Sequence, residues 1–160
     1  MEYTAILEKQ ILGRLKVDNP WWTEGKVPSF YGKMSPRLYL DIFYPLVKDV
    51  DIQRAIILMG PRRVGKTVMI YHSIKKLIDE GGSPQNIIYV SVETPIYNNI
   101  LLEQLFNLAC QILGKEKGKE QFYVFFDEIQ YLKDWEINLK SLVDTYHNVK
   151  FVASGSAAAA

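Results

Sequence analysis

The hydrophobic pattern of the chain changes character near residue 50. Upstream, residues 1–16 place apolar side chains three or four positions apart, which predicts an amphipathic helix with an apolar face of Tyr3, Ile6, Leu7, Ile11 and Leu15. Residues 21–44 carry many aromatics and prolines, and this composition predicts an irregular, packed lead-in. We therefore interpret residues 1–49 as an N-terminal helix and an aromatic, proline-rich leader rather than as a second domain.

Downstream of the leader, short continuous apolar runs alternate with stretches of helical spacing. The helical stretches cover residues 66–80 and 100–113, and a third begins near Asp134. Runs bounded in this way are typical of buried parallel strands joined by helical crossovers. Residues 50–160 are therefore predicted to form an α/β core around a parallel sheet with four strands: RAIILM (54–59), NIIYVSV (86–92), QFYVFF (121–126) and VKFVAS (149–154).

Composition narrows the class of protein. A chain of 160 residues is long enough for one domain, and its 19 basic residues nearly balance 18 acidic ones, so charge gives no support to nucleic-acid binding. No apolar run approaches the roughly 18 residues that span a bilayer, and the N-terminus lacks a signal-peptide pattern. The single Cys110 lies among apolar residues, which predicts a buried side chain and excludes a disulfide within the chain. We expect no membrane contact and a reducing, cytoplasmic setting.

The segment MGPRRVGKTVMI (59–70) contains the pattern G-x-x-x-x-G-K-[ST] between a predicted strand and a predicted helix. Its glycines allow backbone N–H groups and the helix N-terminus to point at phosphate oxygens. Lys66 is predicted to bridge the β- and γ-phosphates, and the Thr67 hydroxyl to bind Mg²⁺. The predicted nucleotide-binding residues are Gly60, Pro61, Arg62, Arg63, Val64, Gly65, Lys66, Thr67 and Val68, with the two arginine side chains either exposed or in contact with phosphate.

A pair of acidic residues follows the third predicted strand, in the stretch FYVFFDEIQ (122–130). Ligands of open α/β sheets bind at the carboxyl ends of the strands, where this pair would lie. Asp127 is predicted to hold Mg²⁺, and Glu128 to polarise the water that attacks the γ-phosphate. The pair therefore favours hydrolysis of the nucleotide over phosphate binding alone.

Other polar residues follow the second and fourth predicted strands. Ser154 or Ser156 could sense the γ-phosphate, although a Ser-Gly-Ser turn without a role explains them equally well. Ser91 and Glu93 could contact Glu128 and hold it back until a ligand arrives, but ordinary loop residues are the simpler interpretation. We predict no metal site other than that for Mg²⁺ brought with the nucleotide.

The stretches DNPWW, GPRRVGKT, FFDEIQYLKDW and FVASGS resemble the prokaryotic AAA-superfamily ATPases that usually carry a C-terminal nuclease-like or winged-helix region. The resemblance implies a three-layer P-loop NTPase fold of the additional-strand, catalytic-glutamate class, with strand order 5-1-4-3-2. It makes Gly60 to Thr67 the Walker A loop, Asp127 and Glu128 the Walker B pair, and Ser154 or Ser156 the sensor. It also implies ATP rather than GTP as the nucleotide.

The resemblance further implies parts that the sequence lacks. The chain stops after the fourth predicted strand, so the fifth strand and the helical lid are missing, and residues 54–59 would form an unpaired apolar edge. No arginine follows Arg63, so an arginine finger would come from another copy or another domain. In such families the segment before the loop packs near the adenine, which makes Tyr39, Phe43 or Tyr44 candidates for the base pocket.

The leading hypothesis is a Mg²⁺-dependent ATPase core whose nucleotide state drives or gates an attached or partner domain. A nucleotide-binding switch with negligible turnover is the alternative, because lid and finger are absent from these residues. A kinase that passes phosphate to a small acceptor is a third interpretation, although Glu128 favours water as the acceptor. A homo-oligomer remains an open expectation.

Overall fold

A computed structural model describes residues 2–117 and 119–156, apart from the side chains of residues 2 and 3. The predicted place of Tyr3 on the apolar face of the first helix and the closing run of alanines lie outside this description. The helices are α1 (Glu2–Asp18), α2 (Trp21–Glu24), α3 (Ser29–Gly32), α4 (Leu40–Lys48), α5 (Lys66–Asp79), α6 (Leu102–Leu113) and α7 (Trp135–Thr145). The strands are β1 (Ile56–Gly60), β2 (Ile87–Ser91), β3 (Phe122–Asp127) and β4 (Val149–Ser156). No helix in the described residues combines the length and the apolar character needed to cross a membrane.

The four strands form one parallel sheet in the order β1-β4-β3-β2, and helices cover its faces. This arrangement confirms the predicted α/β class and the three-layer P-loop fold, with the described strands in the relative order that the resemblance implied. β3 and β4 occupy the centre and are buried along almost their whole length, which explains why their sequences are continuous apolar runs. The sheet places the ends of β1, β3 and β4 side by side.

β1 lies at one edge of the sheet. Within the described residues it pairs only with β4, and its side chains alternate between partly buried and exposed positions. Ile57 is 44% exposed and Met59 is 45% exposed. The expectation of an apolar edge along this strand is therefore confirmed for the part of the chain that the structure describes.

The leader is more helical than its composition predicts. The expectation of an irregular lead-in is wrong for α4, which buries Leu40, Phe43, Tyr44 and Val47 on one face. These residues follow the i, i+3, i+4, i+7 spacing of an amphipathic helix, so the signal was present but was masked by Pro45 inside it. The leader's helices pack on α5 and on β2, so it forms part of the core cluster.

Asn19 closes the free edge of β2. Its amide nitrogen donates to Leu15 O (2.8 Å) and to Tyr89 O (2.9 Å), and its amide oxygen accepts from Tyr89 N (2.7 Å). The indoles of Trp21 and Trp22 both donate to Ile87 O on the same strand, at 2.9 and 2.7 Å. The leader thus satisfies backbone groups of β2 that would otherwise be buried without a partner.

Replacing Asn19 by Ala is expected to lower the free energy of unfolding by about 2–4 kcal/mol, because the buried N–H and C=O of Tyr89 lose their partner. Chemical denaturation of the purified chain measures the loss. Asn138→Ala is the matched control, since the Asn138 amide donates to Asp134 O in an exposed position. Equal stabilities of the two variants would contradict a role of Asn19 in closing the edge.

Cys110 lies on α6 in the core and is only 3% exposed. Burial raises the pKa of its thiol to about 11, so the sulfur stays protonated at neutral pH. The prediction of a small buried hydrophobic residue is confirmed.

Candidate functional site

The phosphate loop connects the end of β1 at Gly60 to the start of α5 at Lys66. Gly65, the last residue before the helix, has a left-handed backbone (φ 91°, ψ 22°) that favours glycine. Lys66 is 94% buried, and its Nζ donates to Gly60 O (2.9 Å) and Pro61 O (2.5 Å). The loop therefore wraps around the ammonium group of Lys66, and the predicted strand, loop and helix context is confirmed.

Asp127 lies at the carboxyl end of β3 and is 98% buried. It accepts hydrogen bonds from three hydroxyl groups on three different elements. Thr67 Oγ1 on α5 donates to Oδ2 (2.8 Å), Tyr89 OH on β2 donates to the same oxygen (2.6 Å), and Ser154 Oγ on β4 donates to Oδ1. The structure thus brings together the two predicted metal ligands and one of the two predicted sensor serines.

The Tyr89 phenol contributes to this cluster although the sequence analysis did not select it. Burial raises the pKa of its hydroxyl, and the charge of Asp127 raises it further, so the phenol stays protonated and donates. Its signal in the sequence is weak, because a tyrosine inside a buried strand is ordinary. Tyr89 fixes the orientation of the Asp127 carboxylate.

The oxygen atoms of Thr67 and Asp127 suit a magnesium ion. They lie 2.8 Å apart beside the phosphate loop, and both are the hard oxygen ligands that Mg²⁺ takes together with nucleotide phosphates. The residues present therefore fit a Mg²⁺–nucleotide complex, in which Thr67 and Asp127 would be the protein ligands.

Glu128 follows β3 in a left-handed backbone conformation (φ 57°, ψ 47°), which costs a non-glycine residue about 1–2 kcal/mol. Its backbone N–H donates to Ser154 Oγ at 3.1 Å. Its carboxylate Oε2 accepts from Gln130 Nε2 at 2.5 Å, and Gln130 Oε1 accepts from the backbone N–H of Ser156 at 3.2 Å. Gln130 therefore ties the Glu128 carboxylate to the end of β4.

The contact to Glu128 comes from a residue that the sequence analysis did not select. Among the described contacts Gln130 makes the bond to the Glu128 carboxylate, which agrees with the simpler interpretation of Ser91 and Glu93 as ordinary polar residues. Glu93 does lie within range of the acidic pair: partial burial raises the pKa of its carboxyl, and the charges of Glu128 and Asp127 raise it further. A glutamine two positions after the glutamate was the available signal.

Both sensor candidates lie near the end of β4, but their surroundings differ. Ser154 contacts Asp127 with its hydroxyl and accepts from the Glu128 N–H. The Ser156 hydroxyl is buried, and within the described residues it has no hydrogen-bond partner. Register places Ser156 beside Gly60, the first residue of the phosphate loop.

Comparison with known proteins gives the family. A family model described as an AAA domain matches residues 52–160, about two thirds of the chain. The chain belongs to the AAA domain family. This AAA domain is therefore a nucleotide-binding P-loop module.

Relatives of the AAA domain are longer proteins. An uncharacterized protein of Methanocaldococcus jannaschii, MJ1637, is 32% identical over 136 residues, which are 81% of this chain and 28% of the relative. An uncharacterized protein of Haemophilus influenzae is 31% identical over 112 residues, 68% of this chain and 26% of the relative. A solved structure of C. elegans PCH-2 is similar over 73% of this chain and 35% of its own, with a TM-score of 0.46 and 15% identity. The chain thus spans about a quarter of the length of the curated relatives that it matches.

The middle of the AAA domain's phosphate loop is exposed. Arg62 donates from Nη2 to Tyr131 OH at 2.9 Å, which links the loop to the segment after β3. Arg63 has a positive φ of 64°, and Val64 is 49% exposed. Pro61 is exposed as well, whereas Val68 is half-buried on α5. Both arginine side chains are therefore exposed, and their contact with phosphate stays a prediction.

The prediction of an adenine pocket fails for two of its three residues. Tyr44 OH donates to Glu80 at 2.7 Å, at the far end of α5, about 20 Å along that helix from the phosphate loop. Phe43 is buried in the core next to it. The physical reason is that α4 packs along α5, so the face of α4 that carries Phe43 and Tyr44 lies away from the phosphate loop. Tyr39 is 56% exposed, and its place near the base stays a prediction.

Proposed function

We propose that this AAA domain binds Mg²⁺-ATP and hydrolyses it to ADP and phosphate. The observation that carries the proposal is the cluster around Asp127, in which Thr67 and Ser154 meet one carboxylate beside the phosphate loop and Glu128 follows directly. A loop alone would support only phosphate binding. The adjacent carboxylates supply both a metal ligand and a base.

Each residue has a distinct task in this proposal. Lys66 and the N–H groups of the loop hold the phosphates, and Thr67 with Asp127 hold the Mg²⁺, which lowers the charge on the phosphate oxygens. Glu128 accepts a proton from the attacking water. As the new P–O bond forms, the bond between the γ-phosphorus and the bridging oxygen breaks, and ADP leaves with that electron pair. Ser154 keeps the Asp127 carboxylate and the Glu128 backbone in position during the step through its hydrogen bonds to both.

Replacing Lys66 by Ala is expected to weaken Mg²⁺-ATP binding by about 10- to 100-fold, because an ammonium group that would contact phosphate is lost. Calorimetric titration of Mg²⁺-ATP into the wild-type chain and the variant measures this. Lys75→Ala is the matched control, since the ammonium of Lys75 lies on the same helix and pairs with Asp79 in an exposed position. Undiminished affinity of the Lys66 variant would count against the whole site.

A nucleotide-binding switch with negligible turnover is the second candidate function. One observation favours it: one oxygen of the Glu128 carboxylate already accepts a hydrogen bond from Gln130, which leaves fewer acceptor sites for an attacking water. Phosphate release by the wild-type chain at saturating Mg²⁺-ATP separates the two candidates. Saturable binding without release favours the switch, and release in proportion to time favours the ATPase.

We also propose that the nucleotide state of this domain acts on other parts of a longer protein or on another copy. The chain covers 28% of its M. jannaschii relative and 26% of its H. influenzae relative, so those proteins contain further segments on which such a domain could act. The nuclease-like or winged-helix character of such a segment belongs to this proposal. Sedimentation of the chain with and without Mg²⁺-ATP tests whether copies of the chain associate when the nucleotide binds.

A further inference from the structure

The leader places an arginine on the phosphate loop. A Cβ atom built on Gly65 would lie 2.8 Å from Nε and 3.0 Å from Nη2 of Arg37, so the guanidinium lies directly against this glycine. Arg37 comes from the segment just before α4, 28 residues before Gly65. Gly65 also has φ 91°, so a side chain at this position would strain the backbone and would have to displace the Arg37 guanidinium.

The charges around Arg37 are unbalanced. Its guanidinium lies where α5 begins, and the first N–H groups of a helix carry a partial positive charge that disfavours a cation. Lys66 follows at the next position, and its ammonium donates to Gly60 O and Pro61 O. Within the described residues, no carboxylate lies within 4.0 Å of the Arg37 guanidinium, and no hydrogen bond engages it. An exposed guanidinium and a helix N-terminus, both positive, therefore lie side by side at Gly65.

We propose that Arg37 is a phosphate-binding residue that the leader contributes to the nucleotide site, an inference that rests on the proposed function. The N–H groups of a phosphate loop surround the α- and β-phosphates, so a guanidinium against Gly65 is placed for the diphosphate that ATP and ADP share. Its planar fork of donors matches two phosphate oxygens, which an ammonium cannot do. A bound phosphate would be attracted both by the guanidinium and by the N-terminus of α5.

The test is calorimetric titration of Mg²⁺-ATP and Mg²⁺-ADP into the wild-type chain, Arg37→Ala and Arg37→Lys. Arg37→Ala is expected to weaken both nucleotides alike by about 10- to 100-fold, and Arg37→Lys to restore only part of the loss. Lys33→Ala is the matched control, because Lys33 is an exposed cation of the same leader and its loss changes the net charge equally. Its affinity is expected to equal that of the wild-type chain.

A second readout separates binding from a structural role. Because the guanidinium opposes the charge of the helix N-terminus, Arg37→Ala is expected to keep or raise the melting temperature of the nucleotide-free chain. A lower melting temperature for both Arg37→Ala and Arg37→Gln would assign Arg37 to folding and overturn the proposal. So would unchanged affinity, or a loss confined to ATP, which would move the contact to the γ-phosphate. Absence of Mg²⁺-ATP binding by the wild-type chain would instead overturn the proposed function on which this inference rests.

Discussion

Replacing Glu128 by Gln is expected to leave Mg²⁺-ATP binding intact and to lower turnover by about 10²- to 10⁴-fold, the range that a general base contributes. The amide keeps the size of the side chain but cannot accept a proton from water. Phosphate release at saturating nucleotide, combined with a calorimetric affinity, measures the two effects separately. The change in turnover with constant affinity is what distinguishes a base from a binding residue.

Two outcomes would contradict the assignment of Glu128. Turnover equal to that of the wild-type chain would exclude it as the base, and a parallel loss of affinity would make it a binding residue. Glu136→Gln is the matched control, since Glu136 is exposed on α7 and the substitution is chemically the same. The control is expected to keep both the turnover and the affinity of the wild-type chain.

The sheet could be predicted from the sequence because β2, β3 and β4 are buried along nearly their whole length and β1, although its burial alternates, is a continuous apolar run. Each predicted run overlaps its observed strand to within two residues at either end, as a buried parallel strand must be apolar on both faces. The leader was harder, because its helices are short and carry prolines. α4 had a helical spacing of apolar residues, but Pro45 and the surrounding aromatics suggested an irregular segment. Local composition outweighed periodicity in that prediction, and tertiary packing decided the structure.

In the candidate site, too, some residues could be identified from local sequence motifs, whereas others are brought in only by the fold. The phosphate loop and the acidic pair are continuous motifs, so their spacing alone identifies Lys66, Thr67, Asp127 and Glu128 as candidate site residues. The contacts that hold these residues depend on strand register and on backbone geometry instead. Glu128 adopts a left-handed backbone conformation, and its carboxylate accepts a hydrogen bond from Gln130. Gly155 has no side chain, which leaves room for the amide of Gln130 next to it.

The long-range contacts to the leader had no local signal at all. Arg37 meets Gly65, and Asn19 meets Tyr89 across 70 positions, only after the chain has folded. Tyr89 in turn donates to Asp127, so the strand whose edge the leader closes also contributes a hydroxyl group to the cluster around Asp127. The leader therefore contacts the phosphate loop through Arg37 and the strand that carries Tyr89 through Asn19.

Replacing Asp127 by Asn is expected to abolish the dependence of ATP binding on Mg²⁺ and to lower turnover by about 10³-fold or more, since a metal ion contributes several kcal/mol to stabilising the charge that develops. The amide preserves the shape of the side chain and can still accept from Ser154, but it removes the anionic oxygen beside Thr67. Calorimetry with Mg²⁺ and with a chelator gives the affinity under each condition. In the variant the two affinities are expected to coincide, whereas in the wild-type chain Mg²⁺ strengthens binding.

Asp144→Asn is the matched control for this measurement, because Asp144 is an exposed carboxylate that pairs with Lys140 on α7. It is expected to keep the full effect of Mg²⁺. If Asp127→Asn also kept that effect, the ion would be held by other oxygens, and the three hydroxyl groups around Asp127 would serve only the fold. A loss of the Mg²⁺ effect together with an unchanged melting temperature would tie the cluster to the metal, since the variant would then lack the ligand and not the structure that presents it.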